Sequence, residues 1–372
     1  MFSTDILIVG SGISGLSLAL KASSFARVTL VTKKNSVDTA TNLAQGGIAA
    51  VLSEKDSLEN HIQDTLISGD GLCHKDIVRT VVEEGPERVR ELVEFGVRFQ
   101  RGKGGEEFDL GMEGGHSARR VAHAQDLTGR EIERALLEQV HACKQVEVLE
   151  EHIVIDLLME SKVGQSRVIE QGRQDRCVGA YVLNRATGEV ETRRARVTVL
   201  CSGGCGKVYL YTTNPDIATG DGIAMAYRAG AKVANLEFVQ FHPTCFFNRE
   251  VKNFLISEAV RGEGGRLIDE QGRPFMLQYD KRGDLATRDA VARGIDAEMK
   301  KSGADCVYLD ITHKDRVFLQ QRFPTIYGTC KQYGVDISKE PIPVVPAAHY
   351  MCGGVLVDTY GQSSVRNLLA LG

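Results

Sequence analysis

Three glycines near the start of the chain, Gly10, Gly12 and Gly15 in DILIVGSGISGLSLAL, keep the G-x-G-x-x-G spacing. The chemistry served by that spacing is pyrophosphate binding. The first glycine permits a tight turn, the second lets backbone approach the phosphates, and the third lets a helix pack closely on a strand. The helix N-terminus then offers free N–H groups and the positive end of its dipole. Farther along, QFHPT (240–244) sets His242 among apolar residues. Such an imidazole is either tied up in a core or turned to a ligand, and the local sequence fits both.

The elements around the glycines are those the motif requires. Residues 5–9 are an apolar run of strand length, 13–23 has helical spacing, and RVTLV (27–31) reads as a second strand. Together they form a β-α-β unit with Ser11 and Ser14 inside the turn. The second strand ends in Thr32-Lys33, where an acidic residue usually binds the adenosine ribose; a hydroxyl of Thr32 or Ser36 could supply that contact instead. No second full fingerprint follows. One site at the extreme N-terminus of a long chain fits FAD as the resident cofactor, with electrons supplied by the substrate itself. Gln45-Gly46-Gly47 offers close-approach backbone beside a planar ligand. Asp221, between Gly220 and Gly222, either caps a helix over 223–230 or touches the cofactor.

The remaining pattern bounds the class. With 372 residues, 42% hydrophobic and 25% charged, the chain is ordinary globular protein of about two domains. A net charge of −4 argues against nucleic-acid or anionic-membrane partners. Nine cysteines without framework spacing point to a reducing, cytoplasmic compartment and to no metal site. No apolar run reaches the roughly eighteen residues of a membrane span. Residues 75–95 read as two helical pieces broken at Gly85-Pro86. Residues 128–140 read as a helix with a capping box of Thr128 and Glu131. Strands follow from 146 to 202, with a hairpin signal at 186–189. From about 236 to 345 the pattern changes to charged turns and mixed elements. The expected fold class is therefore α/β: a Rossmann-like FAD-binding domain (1–235 and 346–372) with an inserted α+β capping domain (236–345).

Eight segments occur in a telling order: Gly10–Gly15, AQGGIAAV, EGGHSARRVAHAQDLTGREI, TGDGIAMAYRAGA, EFVQFHPT, SEAVRGEGG, TRDAVARGI and VVPAAHYMCGGV. Together they resemble the flavoprotein family of succinate dehydrogenase and fumarate reductase, and within it the L-aspartate oxidases. The resemblance implies FAD, held by the glycine turn and by Thr32, Lys33, Thr39, Thr41, Asn42, Ile153, Ser202, Gly203 and Asp221. Ala40 stands where the respiratory members carry a histidine bonded to FAD, which implies a non-covalent flavin. Glu113 of EGGHS stands where the aspartate-specific members are expected to meet the substrate ammonium. A carboxylate suits an amine and disfavours succinate.

An amino dicarboxylate must be held by both carboxylates with its Cα–H aimed at flavin N5. His242, His349, Ser257 and Arg288 are the candidates for that work, with Glu258 and Arg261 close by. The resemblance assigns the two histidines to carboxylate binding and makes Arg288 the active-site arginine. In amine oxidation Arg288 orients and neutralises substrate, because arginine is a very poor base near neutral pH. The implied reaction is oxidation of L-aspartate to iminoaspartate, with oxygen or fumarate as acceptor. The product would feed quinolinate and NAD synthesis, with quinolinate synthase a candidate channelling partner. Two rival readings are a soluble fumarate reductase or succinate dehydrogenase-type subunit, and an inactive FAD-binding fragment. The second arises because the chain stops at NLLALG, whereas the family continues with a flavin contact, a substrate arginine and a helical domain. Weak flavin retention is the expectation that follows.

Overall fold

The structure, a computed structural model, describes residues 3–102, 107–163, 175–251 and 254–372. Residues 164–174, inside the expected strand region, lie outside the described residues. β1 (Ser3–Val9), α1 (Ile13–Ala22) and β2 (Val28–Val31) make the β-α-β unit. After them come α2 (Ala40–Leu43), β3 (Ile48–Ala49), α3 (Leu58–Ser68), α4 (Lys75–Glu94), β4 (Leu110–Gly111), β5 (Val121–Ala122) and α5 (Thr128–Ala142). β6 (Val146–Leu149), β7 (His152–Met159), α6 (Glu160–Val163), β8 (Cys177–Asn184) and β9 (Val190–Leu200) lead to α7 (Asp221–Arg228).

The main sheet runs β6-β2-β1-β9-β8-β7. β6, β2, β1 and β9 are parallel, and β8 and β7 extend the sheet as an antiparallel edge. Successive side chains of a strand point to opposite faces. Accordingly Ile8 packs with Leu16 of α1 and Leu136 of α5, whereas Leu7 and Val9 pack with Met225 of α7. Both faces of the parallel strands are thus covered, which is why β1 and β2 read as nearly unbroken apolar runs.

β10 (Val233–Ala234) then leads into a second body: β11 (Val239–Phe246), α8 (Ala259–Gly262), β12 (Arg266–Ile268), α9 (Arg288–Ser302) and β13 (Val307–Asp310). It continues with α10 (Arg316–Arg322), α11 (Pro324–Gln332) and β14 (Ile342–Met351). Its antiparallel sheet, β11-β14-β13-β12, has a core of its own around Phe275, Phe323, Leu309 and Ile326. The chain returns through β15 (Gly354–Val355), which pairs with β10, and β16 (Leu368–Ala370), which joins the main sheet beside β9. Asp126, just before α5, ties the bodies together. Its buried carboxylate accepts the first free amides of α11, from Thr325 at 2.8 Å and Ile326 at 2.9 Å.

Two local expectations are corrected. α4 is one helix with Pro86 inside it. Its buried stripe of Val78, Val82, Val89 and Leu92 continues across the proline, so packing outweighs the lost hydrogen bond. The capping box on α5 is not formed. The Thr128 hydroxyl instead donates to Gly46 O at 3.0 Å and accepts Ala124 N at 3.0 Å, while Glu131 accepts Arg98 N at 2.9 Å. Thr128 is thereby a strut for the 45–47 turn rather than a helix cap.

One turn farther along α5, Glu133 is 1% exposed, and among the described residues neither of its carboxylate oxygens has a hydrogen-bond partner. Burial pushes its carboxyl up to about 8, opposed by the neighbouring Thr39 hydroxyl. A raised folded-state value means that the folded chain holds a proton that the unfolded chain has released. Stability from this group is therefore present at low pH and is lost as pH climbs from the ordinary carboxyl range to about 8. Glu133→Met should raise the unfolding midpoint, by little at pH 5 and by most at pH 8. The expected gain at pH 8 is about 2–4 kcal/mol, from roughly 1.4 kcal/mol per pKa unit discounted for relaxation. Denaturant melts at the two pH values check it, and a gain that is equal or larger at pH 5 contradicts it.

Candidate active site

Parallel strands β1, β2 and β9 all end at one edge of the main sheet, and a cavity of about 300 Å3 opens there. Gly10, Ser11, Gly12 and Ser14 form one wall, and Ser202 and Gly203, after β9, form the facing one. Thr32, Lys33, Thr39, Thr41, Ile153 and Asp221 also line it. Gly10 has φ +114°, and a β-carbon there would lie 2.1 Å from Cys201 O, so only glycine lets the two turns meet. α1 has no side-chain cap, although the Thr41 hydroxyl accepts Ile13 N at 3.0 Å. These features fit a pyrophosphate laid on the start of α1. Ala40 also lines the cavity and offers no atom for a covalent flavin link.

Thr32 and Ser36, whose hydroxyls the sequence offers for a ribose, stand beside Ser11. The Ser11 hydroxyl lies 3.1 Å from Thr32 Oγ1 and donates to Ser36 O at 2.9 Å. Lys33 Nζ instead reaches across to Asp221 Oδ2 at 2.5 Å and Thr219 Oγ1 at 2.7 Å. Gly220, not Asp221, is the N-cap of α7. Gly15 lies beneath the turn, where a β-carbon would meet Gly10 O at 2.0 Å, and the Asn42 amide donates to Thr39 Oγ1 at 3.0 Å. Gln45 is buried, and among the described residues its Oε1 has no partner. Gly47 packs on Ala122 O, and a β-carbon on Gly46 would fall 2.4 Å from Glu113 Oε1 and 3.9 Å from Ser257 Oγ. The 45–47 turn thus leads from the nucleotide cavity to a second cluster.

That cluster joins the two bodies around Arg288. Its Nη2 donates to Glu113 Oε2 at 3.2 Å, its Nη1 to Gln240 Oε1 at 3.1 Å, and its Nε to Glu258 Oε2. Arg288 is the first residue of α9. A cation there opposes the helix dipole, so its position is held by the two carboxylates rather than by the helix. Glu258 is 2% exposed and also accepts Arg261 Nη2 at 2.8 Å and Gly114 N at 3.0 Å. Burial pushes its carboxyl up, but Arg288 and Arg261 outweigh it and hold the group below the usual range. Glu113 is held above it, by burial and by the charge of Glu258, against the pull of Arg288. The two acids are thus driven apart: Glu258 is the fixed anion, and Glu113 is the one free to gain or lose charge.

His242 of β11 and His349 of β14 lie 5.1 Å apart, ring centre to ring centre. His242 is 1% exposed, and its Nδ1 accepts Thr244 N at 3.2 Å. An amide can only donate, so Nδ1 carries no proton and Nε2 does. Burial, then the charge of Arg288, holds His242 well below its ordinary value, and the same causes put His349 at about 4. Both rings are neutral at physiological pH. Ser257 is buried beside Glu258 and accepts Ala259 N at 3.3 Å. Burial likewise lowers His116 to about 4, with Arg120 adding to the shift; Arg120 itself is gripped by Asp56 and Asp64.

The structure therefore brings Glu113, Ser257, Glu258, Arg288 and the two histidines into one region. Sequence reasoning did not single out Gln240, Thr244 or the Thr213-Asn214 pair that grips His349. Gln240 stands two residues from His242 on one strand, a spacing that often shares a face. A larger groove of about 1060 Å3, flanked by Tyr211, Phe247 and Arg293, includes Gln240 but neither His242 nor Arg288. Among the described residues no cluster of three metal-ligating side chains gathers, and no helix is long and apolar enough to cross a membrane.

A parallel sheet with a glycine turn and a cavity at its carboxyl edge, leading to a buried polar cluster shared with a second body, defines an FAD-dependent oxidoreductase fold. The FAD binding domain family (FAD_binding_2) matches residues 5–372, and the chain belongs to it, in the succinate dehydrogenase and fumarate reductase group of flavoproteins. It is 51% identical to the L-aspartate oxidase of Pseudomonas aeruginosa over 100% of this chain and 69% of that protein. It is 47% identical to L-aspartate oxidase 2-b, chloroplastic, of Nicotiana tabacum, over 99% of this chain and 56% of that one. Among solved structures, E. coli quinol fumarate reductase FrdA superposes with a TM-score of 0.90 at 32% identity, over 100% of this chain and 64% of that one. The chain thus spans roughly two thirds of the length of the bacterial proteins it matches.

Proposed function

We propose that the chain oxidises L-aspartate to iminoaspartate. The observation that carries this is Glu113: a carboxylate of raised pKa, 3.2 Å from Arg288 Nη2, in a cluster whose other carboxylate, Glu258, is already held by Arg288 and Arg261 and whose remaining members are Gln240, Ser257 and two neutral imidazoles. Donors of that kind suit the two carboxylates of the substrate. Glu113 supplies the counter-charge for an ammonium, and a dicarboxylate without an amine leaves it unanswered. The chemistry supplied by bound FAD is acceptance of a hydride. Arg288 keeps its proton throughout, since burial is outweighed by Glu258 and Glu113 and its pKa is raised. It orients a substrate carboxylate, and Glu258 and Gln240 fix the plane of its guanidinium. The two histidines, 1% exposed in one case, help to exclude water from the cleft.

The proposal extends to oxygen or fumarate as acceptor, and to quinolinate synthase as the enzyme that takes the imine onward. Nine free cysteines agree with a reducing, cytoplasmic setting. The deciding experiment loads the chain with FAD, removes oxygen and adds L-aspartate or succinate while the flavin absorbance is recorded. Bleaching by aspartate at least tenfold faster than by succinate is the expected result. Faster bleaching by succinate would instead establish a succinate dehydrogenase-type subunit, and bleaching by neither an inactive FAD-binding fragment.

A further inference from the structure

The loop at 211–214 grips the strand that carries His349. Thr213 N donates to Ala348 O at 3.0 Å and Ala348 N to Tyr211 O at 3.0 Å. The Thr212 hydroxyl donates to Ala348 O at 2.8 Å, and Asn214 Nδ2 to His349 O at 2.6 Å. The Thr213 hydroxyl stands 2.6 Å from His349 Nδ1. Backbone and ring of His349 are therefore both set by this one loop, which belongs to the main body rather than to the second.

A single proton lies between Thr213 Oγ1 and His349 Nδ1. If Nδ1 held it, the hydroxyl hydrogen would need another acceptor. Thr213 is 7% exposed, and among the described residues its hydroxyl has no other bond. A buried hydroxyl whose hydrogen finds no acceptor is costly, so the hydroxyl donates and Nδ1 accepts. His242 is pinned the same way by Thr244 N.

We propose that Thr213 is a positioning residue that fixes His349 as its Nε2–H tautomer. The cleft then holds two matched N–H donors from β11 and β14, and neither ring is free to take a proton from an amine. The pair binds carboxylate, and Glu113 is left as the group that answers the ammonium. That consequence rests on the aspartate reading above, whereas the tautomer assignment does not.

The test labels the chain with ¹⁵N-histidine and records imidazole nitrogen resonances of wild type, Thr213→Val and Thr213→Ser, assigned by loss of the His349 signal in His349→Gln. Wild type should show His349 with an unprotonated Nδ1 and a protonated Nε2. Thr213→Val should show mixed tautomers, and Thr213→Ser should restore one. In the same proteins, the KM for aspartate should rise about tenfold in Thr213→Val with kcat changed less than threefold, and return to within twofold in Thr213→Ser. A protonated Nδ1 on wild-type His349 overturns the proposal whatever the turnover, and so does an unchanged tautomer in Thr213→Val whatever its KM. A wild type with protonated Nε2 that aspartate fails to reduce supports the tautomer assignment and removes the aspartate reading instead.

Discussion

Replacing Arg288 by leucine removes reduction of the bound flavin by L-aspartate, with a loss on the order of 10³ or more in the rate constant, while FAD remains bound. The retention follows from position, because Arg288 is not among the residues lining the nucleotide cavity. The rate loss follows from what the side chain holds together. Its guanidinium meets Glu258, Glu113 and Gln240 at once, and so sets where a substrate carboxylate can sit. Removing one preorganised, charge-bearing donor from a closed site costs about 10²–10³ in rate, and misplacing substrate multiplies it. The variant also has an electrostatic signature. Glu258 keeps Arg261 at 2.8 Å, so Glu113 is the carboxylate stripped of its cation and is driven further toward the protonated form. Anaerobic stopped-flow with aspartate, alongside an FAD titration, measures both parts. Reduction within tenfold of wild type would remove Arg288 from the reaction.

Glu113→Gln changes selectivity rather than abolishing it. Glutamine keeps the shape of the side chain and an acceptor for Arg288 but has no charge for an ammonium. The affinity for aspartate should fall roughly 30-fold or more, the equivalent of about 2 kcal/mol for a lost buried charge pair. Succinate and fumarate, which have no amine, should change less than threefold. The pH profile supplies a second readout. Glu113 has a raised pKa, so in wild type the KM for aspartate should worsen as pH falls through that value and Glu113 takes up a proton. The variant has no such group, and that limb of its profile should flatten. Equal losses for aspartate and succinate would end the ammonium role.

How much of this was legible in the sequence differs by layer. Gly10 and Gly15 were readable because their need is steric and local: a β-carbon at either would run into backbone at 2.1 or 2.0 Å. The α/β class was readable because β1 and β2 are buried on both faces and leave nearly unbroken apolar runs. Pro86 misled because a local breaker does not reveal the stripe of Val78, Val82, Val89 and Leu92 that carries α4 past it. Thr128 misled because the capping-box spacing was present while its hydroxyl was committed to Gly46, 82 residues away. The site followed the same rule. Arg288 bonds Glu113, 175 residues away. Thr213 and His349 are 136 residues apart and carry no shared pattern. Residue types were visible, whereas the pairings that fix protonation arise only from the tertiary fold.

The placement of the last strand has a consequence for how the molecule is made. β9 takes β1 on one side; on the other, β8 covers residues 190–194 and β16 covers 198–200, with Thr198 opposite both Leu7 and Leu368. A ribosome must therefore deliver the whole second body before the central layer can be completed. Until then the end of β9, residues 198–200, presents an open strand edge, the kind of surface on which nascent chains stick to one another. Such distant parallel pairings close slowly. Yield in cells should therefore be limited by refolding partners and growth temperature more than by the final stability of the product.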